Sequence, residues 1–422
     1  MSMNRRQFMV AAAGAACLPL VGCSSKSEQQ HVVVVGGGFG GSAVAKYLKK
    51  YQPSLSVTLI EPKTTHVTCP GSNWHLADLV SMEQITFTYE GLKKRGIRVI
   101  HDSVTAIDDQ KHQVTLASGQ TLVFNKLVVS PGIDFNWGAI EGVTQENADK
   151  IPHAWQAGPQ TLLLKKQIEN MKQGGTFVMI APPNPYRCPP GPYERVGMVA
   201  QYFKKHNPKA KIIVLDPKDK FSKQGLFAQA WQDLYDDMVE WTGLNDGGKV
   251  TKVDVSSMTV YAEAGEIQAD VINAIPPQKA GALAFTAGLT DGTGFCPVNP
   301  TTFESTLKKD IYVIGDAAVA GAMPKSAHSA VSHAKMTAAA IVNALTGKDD
   351  FPTINANTCY SLVSDNYAIS IVGVYSVQEG KIAEIKGAGG VSPAKADSDF
   401  RAMEAVYAKG WYSSITQDVW GS

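Results

Sequence analysis

Among the six cysteines of this 422-residue chain no two stand in a C-x-x-C pair, and no C-x-x-C-H string occurs. Their spacing therefore fits no structural zinc motif and no haem attachment to this chain. Neither charge is in surplus: 39 basic residues face 38 acidic ones, which gives no support for nucleic-acid binding. Internal repeats and low-complexity tracts are lacking as well, so repeat architectures drop out. The most informative absence is local. Residues 181–194, APPNPYRCPPGPYE, follow an apolar run, Thr176–Ile180, where a nucleotide-binding fold would place a second glycine-rich turn. That glycine pattern is missing, and six prolines and Cys188 stand in its place. Proline has no backbone N–H to offer a phosphate, so the stretch reads as a nicotinamide site converted to another use.

What is present is a globular composition, 44% hydrophobic and 18% charged, in a chain longer than one hydrophobic core usually supports. Two or three domains are expected. Residues 1–23 read as a leader: Arg5 and Arg6 precede an uncharged, Ala-rich run from Phe8 to Val21, too short to span a bilayer and built as an export signal. The paired arginines followed by Gln7 and Phe8 point to a Tat-type route and a periplasmic destination. Leu20-Val21-Gly22-Cys23 also has the form of a lipoprotein box, which would tether the protein to a membrane through a lipid on Cys23; an ordinary cleavage site nearby is the alternative. Export would leave Cys69, Cys188, Cys296 and Cys359 in an oxidising compartment, where a disulfide can persist.

Past a polar linker, the run Val32–Val35 leads into Gly36-Gly37-Gly38-Phe39-Gly40-Gly41 and then a helical pattern. Gly36, Gly38 and Gly41 fill the G-x-G-x-x-G places of a dinucleotide turn in its required strand–turn–helix setting. A second strand, Ser56–Ile60, ends in Glu61-Pro62, the position of an acid that holds a ribose hydroxyl pair. Two further stretches favour FAD over NAD. The strand Leu127–Val129 ends in Ser130-Pro131-Gly132, and far downstream Ile311–Ile314 ends in Gly315-Asp316, where the aspartate can accept from a ribitol hydroxyl. The expected FAD-binding domain is thus split, 31–150 and 274–346. A former NAD(P)H-type domain carrying Cys188 is inserted at 151–273, and a C-terminal interface domain is expected at 347–422.

The stretches VVVVGGGFGG (32–41), VTLIEP (57–62), RCPPGPYER (187–195), TFESTLKKDIYVIGDA (302–317), MPKSA (323–327) and NTCYSLV (357–363) carry a resemblance. The chain resembles the flavoprotein subunit of flavocytochrome c sulfide dehydrogenase over nearly its whole length. The first two stretches are common to many flavoproteins, whereas RCPPGPYER and NTCYSLV are specific. The family is similar in fold to glutathione reductase. The implied fold class is α/β, a glutathione reductase-like pair of Rossmann-type domains plus a C-terminal interface domain.

The resemblance implies more about the site. Cys188 and Cys359 fall on the pair that forms a redox-active disulfide above the flavin, and Glu194 on an active-site glutamate. Cys69 falls where FAD is attached through a thioether. Just after it the chain departs from the family pattern, with Pro70-Gly71 ahead of Ser72-Asn73 in place of a bulkier apolar pair. The family pairs with a c-type cytochrome subunit in a heterodimer, so the haem is expected only on the partner. Sulfide is the implied substrate: HS⁻ is a soft nucleophile suited to a disulfide, and attack leaves a persulfide on one cysteine and a thiolate on the other. From the residues alone, a structural crosslink closing a long loop is an equally open reading of Cys188 and Cys359.

Other residues have ordinary alternatives. Lys325 is a candidate to stabilise an anionic reduced flavin, or else a surface side chain. His328 and His333 lack the i, i+4 spacing of a helical metal pair, and no metal is expected. Cys296 reads as an inert buried thiol. Trp411 reads as a core aromatic or as a step toward a partner haem. The rival enzyme is a sulfide:quinone oxidoreductase, and the rival from another class is a non-catalytic flavin-bearing interaction protein.

Overall fold

A computed structural model of the protein describes residues 30–350 and 352–421. The export signal and lipoprotein box read from residues 1–23 lie outside the described residues. In chain order the elements that position the site begin with β1 (His31–Val35), α1 (Phe39–Tyr51), β2 (Ser56–Ile60), β3 (Arg98–Ile100) and β4 (Lys126–Val129). Then come β5 (Thr176–Ile180), α2 (Gly191–His206), β6 (Lys211–Leu215), α3 (Gln224–Tyr235), β7 (Val239–Thr242) and β8 (Val271–Ala274). The chain ends with β9 (Ile311–Val313), α4 (Ala327–Thr346), β10 (Ile354–Ser364), β11 (Tyr367–Gln378), β12 (Lys381–Glu384) and α5 (Ser398–Trp420).

The first sheet is wholly parallel, in the order β9-β4-β1-β2-β3. Its central strand is the Val32–Val35 run, buried on both faces, which is why it shows no alternation of apolar and polar residues. After β1 the chain builds outward through β2 and β3, then returns to the other side of β1 as β4. The crevice at the carboxyl ends of β1 and β4 is therefore the topological switch point, where open α/β sheets bind ligands. Gly36 N–H donates to the Ile60 carbonyl and Ser130 N–H to the Val35 carbonyl, so three strand ends are tied at that crevice.

The second sheet, β7-β6-β5-β8, is also parallel and lies between β4 and β9 in sequence. One apolar cluster runs through both sheets, joining Val33, Val35 and Val129 to Phe177, Met179 and Ile212. The third layer is antiparallel, β10-β11-β12. The buried face of β10 presents Asn355, Asn357, Cys359 and Ser361 at alternate positions; Asn357 Oδ1 accepts from Ser326 and Ser329, and Asn355 Oδ1 from Ser332, all in the first part of α4 or at its cap.

The alternating run expected over Tyr367–Val374 is the longer strand β11. The 23-residue helix α5 that follows was not legible in the sequence. Two of its inward-facing residues are Arg401 and Glu404, ion-paired at 3.1 Å, while Val406 and Tyr407 are 66% and 53% exposed. The apolar period is thereby scrambled. The end of α5 docks on the first domain: Trp420 packs edge-on against Phe39 and stacks on His66, and Lys46 Nζ donates to the Asp418 carbonyl at 2.6 Å.

Candidate active site

A cavity of about 1010 Å³ opens at the switch point and runs from the glycine turn of the first sheet to the proline-rich loop of the second and the face of β10. Gly36, Gly38, Phe39, Glu61 and Pro62 line one end; Ser130, Gly132, Gly315 and Asp316 line its flank. Cys69, Cys188, Glu194 and Cys359 line the rest.

The glycine turn is built from two different constraints. A Cβ on Gly36 would lie 2.2 Å from the Ser130 carbonyl oxygen, and one on Gly41 would lie 1.8 Å from the Gly36 oxygen, so protein packing alone requires both. Gly41 therefore supports the turn from within and does not line the cavity. Gly38 differs: among the described residues the only atom within 4 Å of its Cβ position is His66 Cε1 at 3.6 Å, so its open side faces the cavity. Gly38 also caps α1, whose first turn contains no acidic residue, and that helix end presents unpaired N–H groups suited to a diphosphate. Glu61 is pinned across the turn, its Oε2 accepting from Gly37 N–H at 2.8 Å and its Oε1 from Lys63 N–H at 3.0 Å. Each oxygen keeps a lone pair for a ribose hydroxyl.

On the flank, Asp316 has one carboxylate oxygen 3.8 Å from an Arg187 nitrogen, while Oδ1 is buried without a hydrogen-bond partner. Burial raises its pKa, opposed by the charges of Arg187 and Lys325. A buried carboxylate oxygen without a donor is costly, and a polyol hydroxyl would satisfy it. The orphan oxygen, the open side of Gly38 and the size of the cavity fit a flavin dinucleotide.

Lys325 does not line the cavity. Its ammonium turns away from the cavity and donates to the carbonyls of Asp316 and Ala318 at 2.8 and 2.9 Å, packed over the Phe295 ring. Burial lowers its pKa to about 8. What Lys325 gives the site is its backbone: its carbonyl accepts from Cys188 N–H at 2.7 Å.

Cys188 sits at φ +56°, a conformation that costs a non-glycine residue on the order of 1 kcal/mol. Its loop is held by the Lys325 carbonyl, by Tyr186 Oη donating to Pro189 O, and by Arg187 N–H donating to Gln278 Oε1. The Arg187 guanidinium also donates to the Trp155 carbonyl. Gly191, the first residue of α2, is where a Cβ would come within 2.9 Å of Cys188 Sγ, so the single glycine of the loop makes room for that sulfur. Burial pushes the Cys188 thiol well up, reinforced by Cys359 and Glu194 and opposed by Arg187.

Among the described residues no disulfide joins the cysteines: Cys69, Cys188, Cys296 and Cys359 are all free. Cys359 is buried on β10, with Asn357 Nδ2 3.5 Å from its sulfur. Cys69 lies in the loop before the short helix Ser72–Leu76, its thiol donating to the Trp155 carbonyl at 3.3 Å. Cys296 is fully buried and does not reach the cavity.

Glu194, in the first turn of α2, is not the solvated helix-end acid that its position alone suggests. It is 8% exposed and accepts from Asn73 Nδ2 at 2.9 Å, Trp74 Nε1 at 3.0 Å and Leu362 N–H at 3.1 Å. Burial raises its pKa and the three donors pull it back. Sequence reasoning assigned no role to three residues of this network. Arg195 is fully buried and donates to Asn73 Oδ1, the His153 and Ala154 carbonyls and Asn273 Oδ1. Asn73 links Arg195 to Glu194, and Lys223 donates to Ser361 Oγ at 2.9 Å. Arg195 ends the RCPPGPYER stretch and was within view; nothing local marks Lys223. His328 and Trp411 both line the cavity, whereas His333 is buried and accepts from Gly315 N–H through Nδ1.

At the carboxyl end of β6, where a second nucleotide-binding acid would be expected, Asp216 is engaged by the protein itself. Tyr193 stacks on Phe221 with ring centroids 3.5 Å apart, and its hydroxyl donates to Asp216 Oδ2 at 2.6 Å. Trp241 Nε1 and Lys218 Nζ take up the rest of that carboxylate. The acid that would read a nicotinamide ribose is thus used internally.

This architecture defines a flavin-dependent oxidoreductase of the disulfide reductase class. Residues 30–166 match the family model for pyridine nucleotide-disulphide oxidoreductases. Residues 161–276 match the central part of the sulfide dehydrogenase [flavocytochrome c] flavoprotein chain, and 352–420 the flavin-binding model of flavocytochrome c sulphide dehydrogenase. A flavocytochrome c sulfide dehydrogenase flavoprotein chain from Chlorobaculum thiosulfatiphilum is 70% identical over 35 residues, 8% of this chain and 73% of that one. The chain belongs to this family.

A mitochondrial sulfide:quinone oxidoreductase from Dictyostelium discoideum is 22% identical over 293 residues, 66% of this chain and 63% of the relative's length. In fold, the chain is similar to the sulfide:quinone oxidoreductase of Aquifex aeolicus, with a TM-score of 0.68, 19% identity and 93% of both chains covered.

Proposed function

We propose that this chain is a sulfide dehydrogenase subunit that oxidises sulfide to sulfur or polysulfide through a Cys188–Cys359 disulfide and FAD, and passes electrons to a c-type cytochrome partner. The observation that carries the reading is that Cys188 and Cys359, far apart in sequence, open onto the same cavity as the dinucleotide turn, beside a buried carboxylate.

The Gly36–Gly41 turn and the N-terminus of α1 would hold the pyrophosphate, Glu61 the adenosine ribose and Asp316 Oδ1 a ribitol hydroxyl. FAD supplies a two-electron acceptor that can release electrons one at a time to haem. The remaining chemistry belongs to the chain. HS⁻ attacks one sulfur of the disulfide; the new S–S bond makes a persulfide, the old one breaks, and the other cysteine leaves as a thiolate with the electron pair. Glu194, raised by burial, is placed to take and return a proton as further sulfide is consumed. Proline residues around Cys188 limit how far its sulfur shifts between the two redox states.

The test gives the purified protein sulfide, with cytochrome c or a short-chain quinone as acceptor, and NADPH in a parallel cell. Cytochrome c reduction by sulfide and none by NADPH is expected. Quinone reduction alone would favour a sulfide:quinone oxidoreductase, for which the exposed apolar residues Met403, Val406 and Tyr407 on α5 are the supporting observation. Flavin that stays oxidised with sulfide would leave a non-catalytic flavin-bearing protein.

Cys69 is proposed as the covalent anchor of the flavin. Acid-denatured wild-type protein should keep its yellow colour, and a Cys69→Ser variant should release the flavin under the same treatment. Flavin freed from the wild-type chain by acid overturns the anchor.

A further inference from the structure

We propose that Lys223 is a positioning residue for the sulfur chemistry: through the buried face of β10 it holds Cys359 as the thiolate leaving group and so directs sulfide to Cys188. The proposal deepens the functional reading above and rests on it.

Lys223 precedes α3 and takes a left-handed conformation, φ +62°, while its carbonyl accepts from Leu226 and Phe227 N–H at 3.0 Å each. The helix start therefore fixes where the side chain leaves the backbone. Its ammonium donates to Ser361 Oγ at 2.9 Å and to the Ile369 carbonyl at 3.2 Å, one contact on β10 and one on β11. Ser361 and Cys359 are two residues apart on one strand and both are buried, so their side chains project to the same face. The ammonium is thereby anchored beside Cys359. On the other side of Cys359, Asn357 offers an amide N–H to the sulfur and is itself fixed by Ser326.

The two cysteines are thus unlike. Cys359 is buried between a cation and an amide donor; burial still leaves its pKa raised, and Lys223 and Asn357 counter only part of that push. Cys188 is more exposed, and among the described residues no hydrogen bond reaches its sulfur. Thiol–disulfide exchange goes by attack on the accessible sulfur and departure of the better-stabilised thiolate. The step balances: HS⁻ bonds to Cys188 Sγ, the Cys188–Cys359 bond breaks, and its electron pair leaves on Cys359 with no proton transferred.

The charges that face the Lys223 ammonium are Cys359 on β10, Glu194 on α2, Cys188 on the loop before it and Glu404 on α5. Burial lowers the ammonium's pKa while an anionic Cys359 raises it, so each of the two groups favours the charged form of the other.

The test is alkylation of the flavin-loaded, dithiothreitol-reduced protein by iodoacetamide across pH 5–10, each cysteine followed by peptide mass. In wild type, Cys359 should have the lower midpoint. Lys223→Gln keeps a donor for Ser361 and removes the charge; it should raise the Cys359 midpoint by about one pH unit or more, and Lys223→Arg should restore it. An unchanged Cys359 midpoint in Lys223→Gln, or a slowing equal at every pH, would overturn the proposal, because loose packing scales a rate without moving its titration. No sulfide enters the measurement. A wild-type protein whose flavin sulfide cannot reduce would count against the functional reading, while the midpoint still decides the role of Lys223.

Discussion

A Cys188→Ser variant is expected to remain folded and flavin-loaded while its flavin is reduced by sulfide at least on the order of 10³-fold more slowly than in wild type. Folding should survive because the loop is held by atoms the substitution leaves alone. These are the Lys325 carbonyl on the backbone N–H, the Gly191 N–H on the backbone carbonyl, and the Tyr186 and Arg187 contacts on either side. The sulfur itself sits against Gly191 and contributes little that an oxygen would not, apart from volume. A hydroxyl left without a partner in this setting costs about 1–3 kcal/mol, which a modest fall in melting temperature would register. Reactivity is another matter, since serine forms no disulfide and offers sulfide no electrophilic sulfur. Rapid-mixing absorbance at the flavin band gives the rate. Reduction at the wild-type rate would end the assignment of Cys188 to the chemistry, and would leave the cavity as a flavin site at which sulfide acts without the cysteine pair.

What the sequence showed, and what it hid, follows from the range of the interactions involved. The turn Gly36–Gly41 was legible because most of its pattern is local: a strand, a tight turn and a helix start follow one another, and Gly41 is demanded by Gly36 within the turn, although Gly36 itself is demanded by Ser130, far away in sequence. The strands β2 and β5 were legible as short apolar runs. Asp316 was readable because a buried strand ending in Gly-Asp is a pattern, though its orphan oxygen was not. The direction of Lys325 was not legible because a lysine beside a helix start can point either way, and here the carbonyls of Asp316 and Ala318 and the Phe295 ring hold it. Lys223, Asn73 and Arg195 act through partners that only the folded chain brings near. β10 was not read as a strand, although Cys359 and the stretch 357–363 on it were singled out, because its buried face is polar, the reverse of the pattern by which strands are recognised. In α5 the Arg401–Glu404 pair faces inward while Val406 and Tyr407 face outward, so a helix of 23 residues carried no clear apolar stripe.

The two kinds of glycine in the turn give the second large effect, and it separates cofactor binding from folding. Gly38 has φ −73° and ψ −167°, a conformation alanine adopts freely, and among the described residues no atom lies within 3.5 Å of where its methyl would sit. A Gly38→Ala protein should therefore fold with the stability of the wild-type apoprotein, its methyl projecting into the space that a pyrophosphate must enter. Closing that approach should weaken flavin binding by on the order of 10²-fold, about 2.7 kcal/mol. Gly41→Ala is expected to behave oppositely. A methyl 1.8 Å from the Gly36 oxygen cannot be accommodated without opening the β1–α1 turn, and the variant should be insoluble or unfold well below the wild-type temperature. Flavin content per chain, from the visible absorbance of protein purified with excess FAD, and the melting temperature of the apoproteins measure the two effects separately. If Gly38→Ala takes up flavin as fully and as tightly as wild type, the diphosphate does not lie against this turn. A Gly38→Ala apoprotein as unstable as Gly41→Ala would mean that the open side of the turn serves folding, not the ligand.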